Sequence, residues 1–429
     1  MSLLLKNATY IDWETLEFSN LDILVEEGID GGIRMHSPGE AIELPADCET
    51  IDCTGKLVTK SFAVGHHHVY SALARGMPPP KKKPGNFLEI LQTIWWTLDK
   101  CLDEEMIRYS ALVTAMAAAR AGSTFVIDHH ASPNCIEGSL DIIAAAFEEV
   151  GISHLLCYEV TDRDGNHRAL RGLKETERYL SLRQGLVGLH ASFTVGEETL
   201  EMACDLMRRF NTGAHVHVAE DLHDQEHCLA FYGKRVMNRW QEAGLMDSPA
   251  TILVHGLHLD DGERELFRNS KCWVAQNMES NLKNKVGFFN GEGLGNNIML
   301  GTDGMHSDML QSVRSAFFSG LKFDNIDFPG AYNRLRNVHK YLEGNGFKGD
   351  GDNCLVVLDY DNHTDINRDN FIGHMLFGMQ SAHVRDVISG GRLVVRNKQI
   401  TRVDHEKIIH GSRLQARRLW GEMAAYRYL

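Results

Sequence analysis

Histidines that follow one short apolar run are the first residues in this sequence whose spacing suggests chemistry. The run at residues 62–64 leads into Gly65 and then three consecutive histidines, residues 66–68. Side chains alternate along a strand, so His66 and His68 share one face and His67 points to the other. Two imidazoles on one face, at the carboxyl end of a strand, supply half of a metal site.

Polar residues also end several later apolar runs. They are Asp128-His129-His130, His190, His215-Val216-His217 followed by Glu220, His255 with His258 just beyond it, and Asp303. A single strand that ends in histidine usually carries a hydrogen-bonded core residue. Several such ends that converge on one axis indicate a metal, because burying these polar groups together without one would be costly.

The chemistry that this set predicts is metal-assisted hydrolysis. Three neutral imidazoles and one carboxylate suit one divalent ion, Zn²⁺ first and Fe²⁺ second, with an open position for water. Such an ion lowers the pKa of water toward neutrality. A carboxylate beside it takes the water proton, and Glu220 carries a proton to the substrate and leaving group. His255 hydrogen-bonds the attacking oxygen or the developing oxyanion.

The elements that must position these residues alternate between strand and helix. Eight apolar runs of strand length are predicted at 62–68, 124–130, 154–160, 186–192, 214–220, 252–257, 272–277 and 298–303. Amphipathic spacing predicts helices over Glu104–Ala121 and Glu198–Phe210, and Gly122 and Gly151 act as C-terminal stops. Eight repeats favour a (β/α)₈ TIM-like barrel over residues 59–345. A doubly wound sheet is the competitor, but no Gly-x-Gly-x-x-Gly follows the first strand.

The two ends of the chain are rich in predicted strands. Residues 1–58 show alternation and turn signals, and residues 346–429 contain three further strands, a Gly390-Gly391 turn and a closing helix near 407–428. The economical arrangement is one small β-sandwich domain built from both termini.

The first strand-to-helix segment, residues 76–99, is unusually long. Its helical part carries Trp95 and Trp96. One interpretation is a core-packed helix, which we favour for Trp95. The other is a lid over the pocket, with Trp96 free to stack on a flat substrate.

Composition excludes several classes of partner. Of the 429 residues 43% are hydrophobic and 24% charged, and the net charge of −14 gives no support for binding nucleic acid or an anionic membrane. The nine cysteines show no Cys-x-x-Cys pair, and no apolar run reaches membrane-spanning length. We therefore expect a cytoplasmic enzyme that acts on a small molecule.

The motifs together resemble the amidohydrolase superfamily, in its deaminase and chlorohydrolase branch, and are most similar to SsnA-type aminohydrolases. The segments that carry the resemblance are residues 65–77, 86–99, 126–133, 188–195, 217–220, 254–258, 279–281 and 301–304. The resemblance implies a metal held by His66, His68, His217 and Asp303. It also implies proton transfer by Glu220 and His255, with Asp303 beside them.

The resemblance further implies that His190 contacts the substrate. It also implies a single metal ion, because binuclear members of the superfamily have a carboxylated lysine at the position of His190. One of His129 and His130 is expected to reach the pocket, and we select His129. His215 is expected to be a packed barrel histidine. Barrels of this kind often form dimers, which we expect here.

The leading functional hypothesis is hydrolytic deamination of a small nitrogen heterocycle with release of ammonia. The alternative is a chlorohydrolase or cyclic-amide hydrolase that uses the same metal site. A third hypothesis, from another class, is a non-catalytic metal-binding accessory protein.

Overall fold

The computed structural model of the chain describes residues 2–29 and 31–426. The strands are, in chain order, β1 Ser2–Ile11, β2 Phe18–Glu26, β3 Ile33–His36, β4 Glu49–Asp52, β5 Leu57–Lys60, β6 Phe62–His67, β7 Ser123–His130, β8 Ser153–Tyr158, β9 Val187–Ala191, β10 Ala214–Val218, β11 Ile252–His255, β12 Trp273–Gln276, β13 Ile298–Leu300, β14 Leu355–Leu358, β15 Val384–Ser389, β16 Arg392–Arg396 and β17 Gln399–Ile400.

The helices lie mainly between the barrel strands. They are α1 Phe87–Ile90, a π-helical turn Leu91–Trp95, α2 Trp96–Leu98, α3 Glu104–Arg120, α4 Ser139–Val150, α5 Asn166–Leu180, α6 Glu197–Phe210, α7 Leu222–Tyr232, α8 Val236–Glu242, α9 Asp261–Asn269, α10 Met278–Asn284, α11 Met309–Phe323, α12 Phe328–Gly344, α13 Phe371–Phe377 and α14 His405–Tyr426. Short 3₁₀ turns cover Val69–Ala74, Asp99–Cys101, Ser192–Thr194, Leu245–Asp247 and Ser381–His383. Among the described helices, none is both long and apolar enough to cross a bilayer.

The eight strands β6–β13 are parallel and neighbour one another in chain order. β6-β7-β8 form one hydrogen-bonded group and β9–β13 form another. Parallel bridges at Leu156–Gly185 and Val160–Leu189 join β8 to β9, and a bridge at His67–Asp303 joins the end of β13 to β6. These bridges complete the ring, and the predicted (β/α)₈ fold class is confirmed.

The amino-terminal end of the barrel is filled with apolar side chains. Ala63, Phe125 and Leu155 belong to an interior cluster that also includes Val338 and Tyr341 of α12. Neighbouring strand residues pack outward with the surrounding helices. Because this end is filled, the cavity opens at the carboxyl ends of the strands.

Both ends of the chain contribute strands to one further sheet. Its order is β17-β16-β15-β14-β5-β1-β2-β3, with β4 beside β1. The antiparallel pairing of β5 with β14 joins the two halves, with Leu57 opposite Leu358 and Lys60 opposite Leu355. We propose that this sheet forms a domain of its own with boundaries near residues 58 and 345, the first of which falls within β5.

Two segments differ from their predicted form. The helical stretch 87–98 contains a π turn, and the short helix α13 had no periodic signal in the sequence. The closing helix is present as α14, where Trp420 donates from Nε1 to the Leu73 carbonyl at 2.9 Å. The last predicted residue of that helix, Tyr428, lies outside the described residues.

Gly213, directly before β10, lies where the backbone of a neighbouring segment of the barrel is too close for a side chain. A Cβ at this position would overlap the backbone carbonyl of Ala250. Because backbone atoms on both sides are held in the barrel, we expect Gly213→Ala to lower the free energy of unfolding by about 2 kcal/mol. Calorimetric unfolding measures this. Gly262→Ala is the control, since its nearest neighbouring atom is Asp260 Oδ1 at 3.4 Å; equal unfolding temperatures for the two variants would contradict the prediction.

Candidate metal and active site

A cleft opens at the carboxyl ends of the barrel strands. Aromatic side chains, Trp95, Trp96 and Phe193 among them, form part of its wall. Polar side chains on its wall come from five different strand ends: His68, Glu159, His190, His217 with Glu220, and Asp303. The structure therefore brings together residues that are far apart in the chain.

The protonation of two histidines follows from their carbonyl partners. His68 Nδ1 lies 2.7 Å from the His129 carbonyl, and His217 Nδ1 lies 2.8 Å from the His190 carbonyl. A carbonyl only accepts, so each Nδ1 donates its hydrogen and each Nε2 presents a lone pair. The two Nε2 atoms are 3.1 Å apart. Two lone pairs that face each other repel, and a cation between them removes the repulsion.

His66 also presents an Nε2 lone pair, because its ring is oriented by His215, which in turn contacts Cys157. The Cys157 thiol donates to the Asp128 carbonyl at 3.4 Å, and its sulfur lies 3.6 Å from His215 Nδ1. With the ring hydrogen of His215 on Nδ1, its Nε2 accepts from His66 Nδ1 at 2.9 Å. The remaining His66 Nε2 is buried and has no hydrogen-bond partner among residues 2–29 and 31–426. His215 is thus a packed barrel histidine that also orients His66.

These donors fit a divalent metal ion. His66, His68 and Asp303 place one ligand atom each within 4.8 Å of one another, as do His66, His217 and His255. Burial, together with the surrounding imidazoles, holds the pKa of His66 and His217 well below the usual value, so both rings are neutral. Neutral imidazoles and a carboxylate are the ligands that zinc prefers.

Left-handed backbone turns aim three residues of the site. Ala219, His255 and Asp303 have φ of 46°, 73° and 50°, a region that non-glycine residues seldom adopt. Val216 and Val218 of β10 pack outward, so strict alternation would turn Glu220 outward as well. The turn at Ala219 brings it into the cleft. Asp224 supports that turn by accepting from the Ala219 amide at 2.9 Å.

An irregularity in β6 likewise turns functional side chains into the barrel. Ala63 faces the barrel interior and Val64 packs outward, so unbroken alternation would place His66 on the outside. The register of β6 against β7 shifts between Val64 and His67. This irregularity returns His66 and His68 to the interior, where bulges often serve functional residues.

His255 and Glu220 face each other beside Asp303. His255 Nε2 lies 3.4 Å from Glu220 Oε2 and 3.8 Å from Asp303 Oδ2. The Asn281 amide donates to His255 Nδ1 at 2.8 Å, so the hydrogen of the ring is on Nε2. Burial lowers the pKa of His255 to about 4, and burial with the nearby Asp303 raises the pKa of Glu220 well above its usual value. The pair can exchange a proton with a molecule in the cleft.

The residues predicted to bind substrate lie in different layers. His190 and Trp96 line the cleft, with ring centroids 6.0 Å apart. Trp95, which we expected in the core, packs on the core and also lines the cleft. His129 is fully buried and is not among the described lining residues, because its Nδ1 lies 3.0 Å from Glu159. Glu159 therefore faces the cleft where His129 was expected.

Sequence reasoning missed several residues around the site. Glu159 follows β8 on the same face as Leu155 and Cys157, and that alternation was the available signal. Although burial alone would raise it, the histidines around Glu159, His190 foremost, hold its pKa below the usual value. Asn281 lies in a segment that carries the family resemblance, but its contact with His255 was not predicted. The support that Asp224 gives to the turn at Ala219 had no signal in the sequence.

The barrel and its convergent donor set define a metal-dependent hydrolase. Residues 63–329 match the family model described as "Amidohydrolase family". The chain belongs to the amidohydrolase family. This assignment confirms the predicted family and the hydrolase class.

Curated relatives cover nearly the whole chain. A 5-methylthioadenosine/S-adenosylhomocysteine deaminase of Thermoanaerobacter pseudethanolicus is 25% identical and covers 98% of this chain and 99% of its own. A 5′-deoxyadenosine deaminase of Methanopyrus kandleri is 27% identical, over 91% of this chain and 93% of its own. A solved adenosine deaminase from Xanthomonas campestris with bound zinc has a TM-score of 0.79 at 17% identity, covering 97% of this chain and 98% of its own. The predicted fold is thus found in a zinc-containing structure.

The donor set generates a prediction about metal binding. We expect the protein to bind one equivalent of Zn²⁺, and His217→Ala to weaken binding by at least about 100-fold, because one converging lone pair is lost. Titration calorimetry of metal-stripped protein, with mass-spectrometric metal analysis, measures both. His227→Ala is the control, since that ring stacks on Phe231 outside the cleft at 4.2 Å between centroids. Unchanged zinc affinity in His217→Ala would contradict the assignment.

Proposed function

We propose that this protein is an aminohydrolase that removes an amino group from a purine-type ring, with one zinc ion held by His66, His68, His217 and Asp303. The single observation that carries the proposal is the convergence of three Nε2 lone pairs beside the Glu220–His255 pair. The relatives named above, which are deaminases of adenosine derivatives, support the ring class. Fe²⁺ is the second choice of metal, and dimer formation stays a prediction.

The reaction adds water to the carbon that bears the amino group and releases ammonia, leaving a carbonyl. The metal, when bound, supplies acidified water at neutral pH. Glu220 transfers a proton to the ring nitrogen beside that carbon and then to the departing amine. His255 donates from Nε2 to the oxygen that attacks, in the orientation that Asn281 sets. Trp96 and Phe193, with ring centroids 6.4 Å apart, offer aromatic surface to a flat ring.

We rank the other hypotheses lower on specific grounds. A chlorohydrolase or cyclic-amide hydrolase would use the same metal site, but the curated relatives described above are named deaminases. A non-catalytic accessory role leaves the Glu220–His255 pair without a purpose.

Glu220 provides the direct test of the reaction. We expect Glu220→Gln to lower kcat for ammonia release by at least about 100-fold, because the amide cannot transfer the proton, while zinc content stays unchanged. The assay is ammonia release from adenosine, 5′-methylthioadenosine, adenine and guanine by zinc-loaded protein. Glu226→Gln, an exposed carboxamide substitution on α7, is the matched control. Full activity in Glu220→Gln would contradict the mechanism.

Charge in the cleft generates a second prediction, on substrate scope. Of the side chains described as lining the cleft, Arg163 is the one permanent cation, and it is paired with Asp99 and with Asp164 at 3.2 Å. A carboxylate on the substrate would therefore meet acidic groups without a free cation. We expect kcat/KM for 5′-methylthioadenosine to exceed that for S-adenosylhomocysteine by at least about 10-fold. Equal or reversed values would show that the cleft accepts the carboxylate of the zwitterionic homocysteine tail.

A further inference from the structure

Glu159 is a buried carboxylate in the cleft that the proposed reaction does not use. It directly follows β8, its residue is 3% exposed, and it lines the cleft beside His190. A carboxylate in such a place is costly unless something binds to it. Its partners therefore indicate its purpose.

His129 accounts for only part of the hydrogen-bonding capacity of Glu159. The carbonyl of His215 accepts from His129 Nε2 at 3.0 Å, so that nitrogen carries a hydrogen. The other ring nitrogen, Nδ1, lies 3.0 Å from Glu159 Oε2, a contact in which the two atoms share one proton. An ionised carboxylate has about four acceptor positions. Contact with His129 occupies one of them, and the carboxylate faces the cleft with the others.

His190 presents a second acceptor on the neighbouring strand. The Thr194 hydroxyl donates to the Ala191 carbonyl at 3.2 Å and lies 2.6 Å from His190 Nδ1. Because that hydroxyl hydrogen is used, Nδ1 donates to the hydroxyl oxygen and His190 Nε2 keeps its lone pair. The wall of the cleft between β8 and β9 therefore offers acceptors at both Glu159 and His190.

The Arg163 cation acts electrostatically on Glu159, but the described ion pairs of its guanidinium are with two other carboxylates. The Arg163 guanidinium pairs with Asp99 and Asp164, and its central carbon lies 4.9 Å from the centroid of the Trp96 ring. Arg163 is therefore held against the tryptophan and the two aspartates. The acceptors on the wall remain available to a ligand with N–H groups.

We propose that Glu159 selects the substrate by accepting a hydrogen bond from a ring N–H. This inference rests on the proposed function and deepens it, since it names the class of ring: an amino-substituted heterocycle that also carries a ring N–H, as an amino-oxopurine does. Adenosine-type rings substituted at N9 lack a ring N–H, so we expect them to bind more weakly than amino-oxopurines. A ring methylated at that nitrogen lacks the donor and leaves the buried carboxylate unpaired, which binding sites discriminate against strongly.

The test measures binding to zinc-loaded protein by titration calorimetry, with guanine, 1-methylguanine and 9-methylguanine as probes. Each methylated probe lacks a different ring N–H. For the wild type, we expect the methylguanine that lacks the N–H facing Glu159 to bind at least about 10-fold more weakly than guanine. Glu159→Gln should weaken guanine binding by about 10- to 100-fold and leave the binding of that methylated ring unchanged. Glu226→Gln is the control, with zinc content and unfolding temperature checked for both variants.

Each outcome decides the inference. Equal affinity of the wild type for all three rings, equal weakening of all three in Glu159→Gln, or absence of binding would overturn it. The comparison of rings on the wild type needs no variant, so a folding defect in Glu159→Gln cannot obscure the result. Selective, Glu159-dependent binding without ammonia release would support the recognition role and reject the proposed deamination, so the two failures are distinguishable.

Discussion

Buried nitrogen lone pairs face one another at the carboxyl end of the barrel and repel each other, and the arrangement of the site follows from the need to relieve this repulsion. His68 and His217 direct two Nε2 atoms at each other across 3.1 Å, and the third, on His66, has no hydrogen-bond partner within the described part of the chain. Burial keeps the pKa of His66 and His217 low, so neither of these two rings relieves the crowding of lone pairs by taking up a proton. A divalent cation relieves this crowding, and it simultaneously supplies the electrophile that the neighbouring acid–base pair requires.

The site is built from the regular parallel strands of the barrel together with a few local departures from regular strand geometry. Parallel strands bring their carboxyl ends to one place, and carbonyl acceptors at His129 and His190 choose which nitrogen of each ligand is free. Three left-handed residues and a register shift in β6 then turn side chains that alternation would point outward. Backbone conformations of this kind cost energy and persist where packing enforces them, as the Asp224 carboxylate does at Ala219.

The sequence predicted the scaffold better than the exceptions. Eight apolar runs located the barrel strands to within a few residues, and histidines at their ends pointed to a metal site. Positive φ at His255 and the shift at His67 have no local signature, because neither is glycine and both conformations arise from tertiary packing. The position of Glu159 could have been predicted from the alternation of side chains on β8. The contacts that link Cys157, His215 and His66 join segments more than fifty residues apart, so they could not be predicted from local sequence. Contact of His129 with the substrate stays a prediction, and Glu159, which pairs with it, is the residue that lines the cleft.

Anomalous X-ray diffraction from crystals of the zinc-loaded protein, recorded on both sides of the zinc absorption edge, would locate the metal ion. We expect one peak per chain, within coordination distance of His66, His68, His217 and Asp303, and none against Glu159. A peak between His129 and Glu159, whose ligand atoms also cluster with those of His68 and His217, would contradict it. That result would make Glu159 a metal ligand and remove both the assigned centre and the substrate-selecting role.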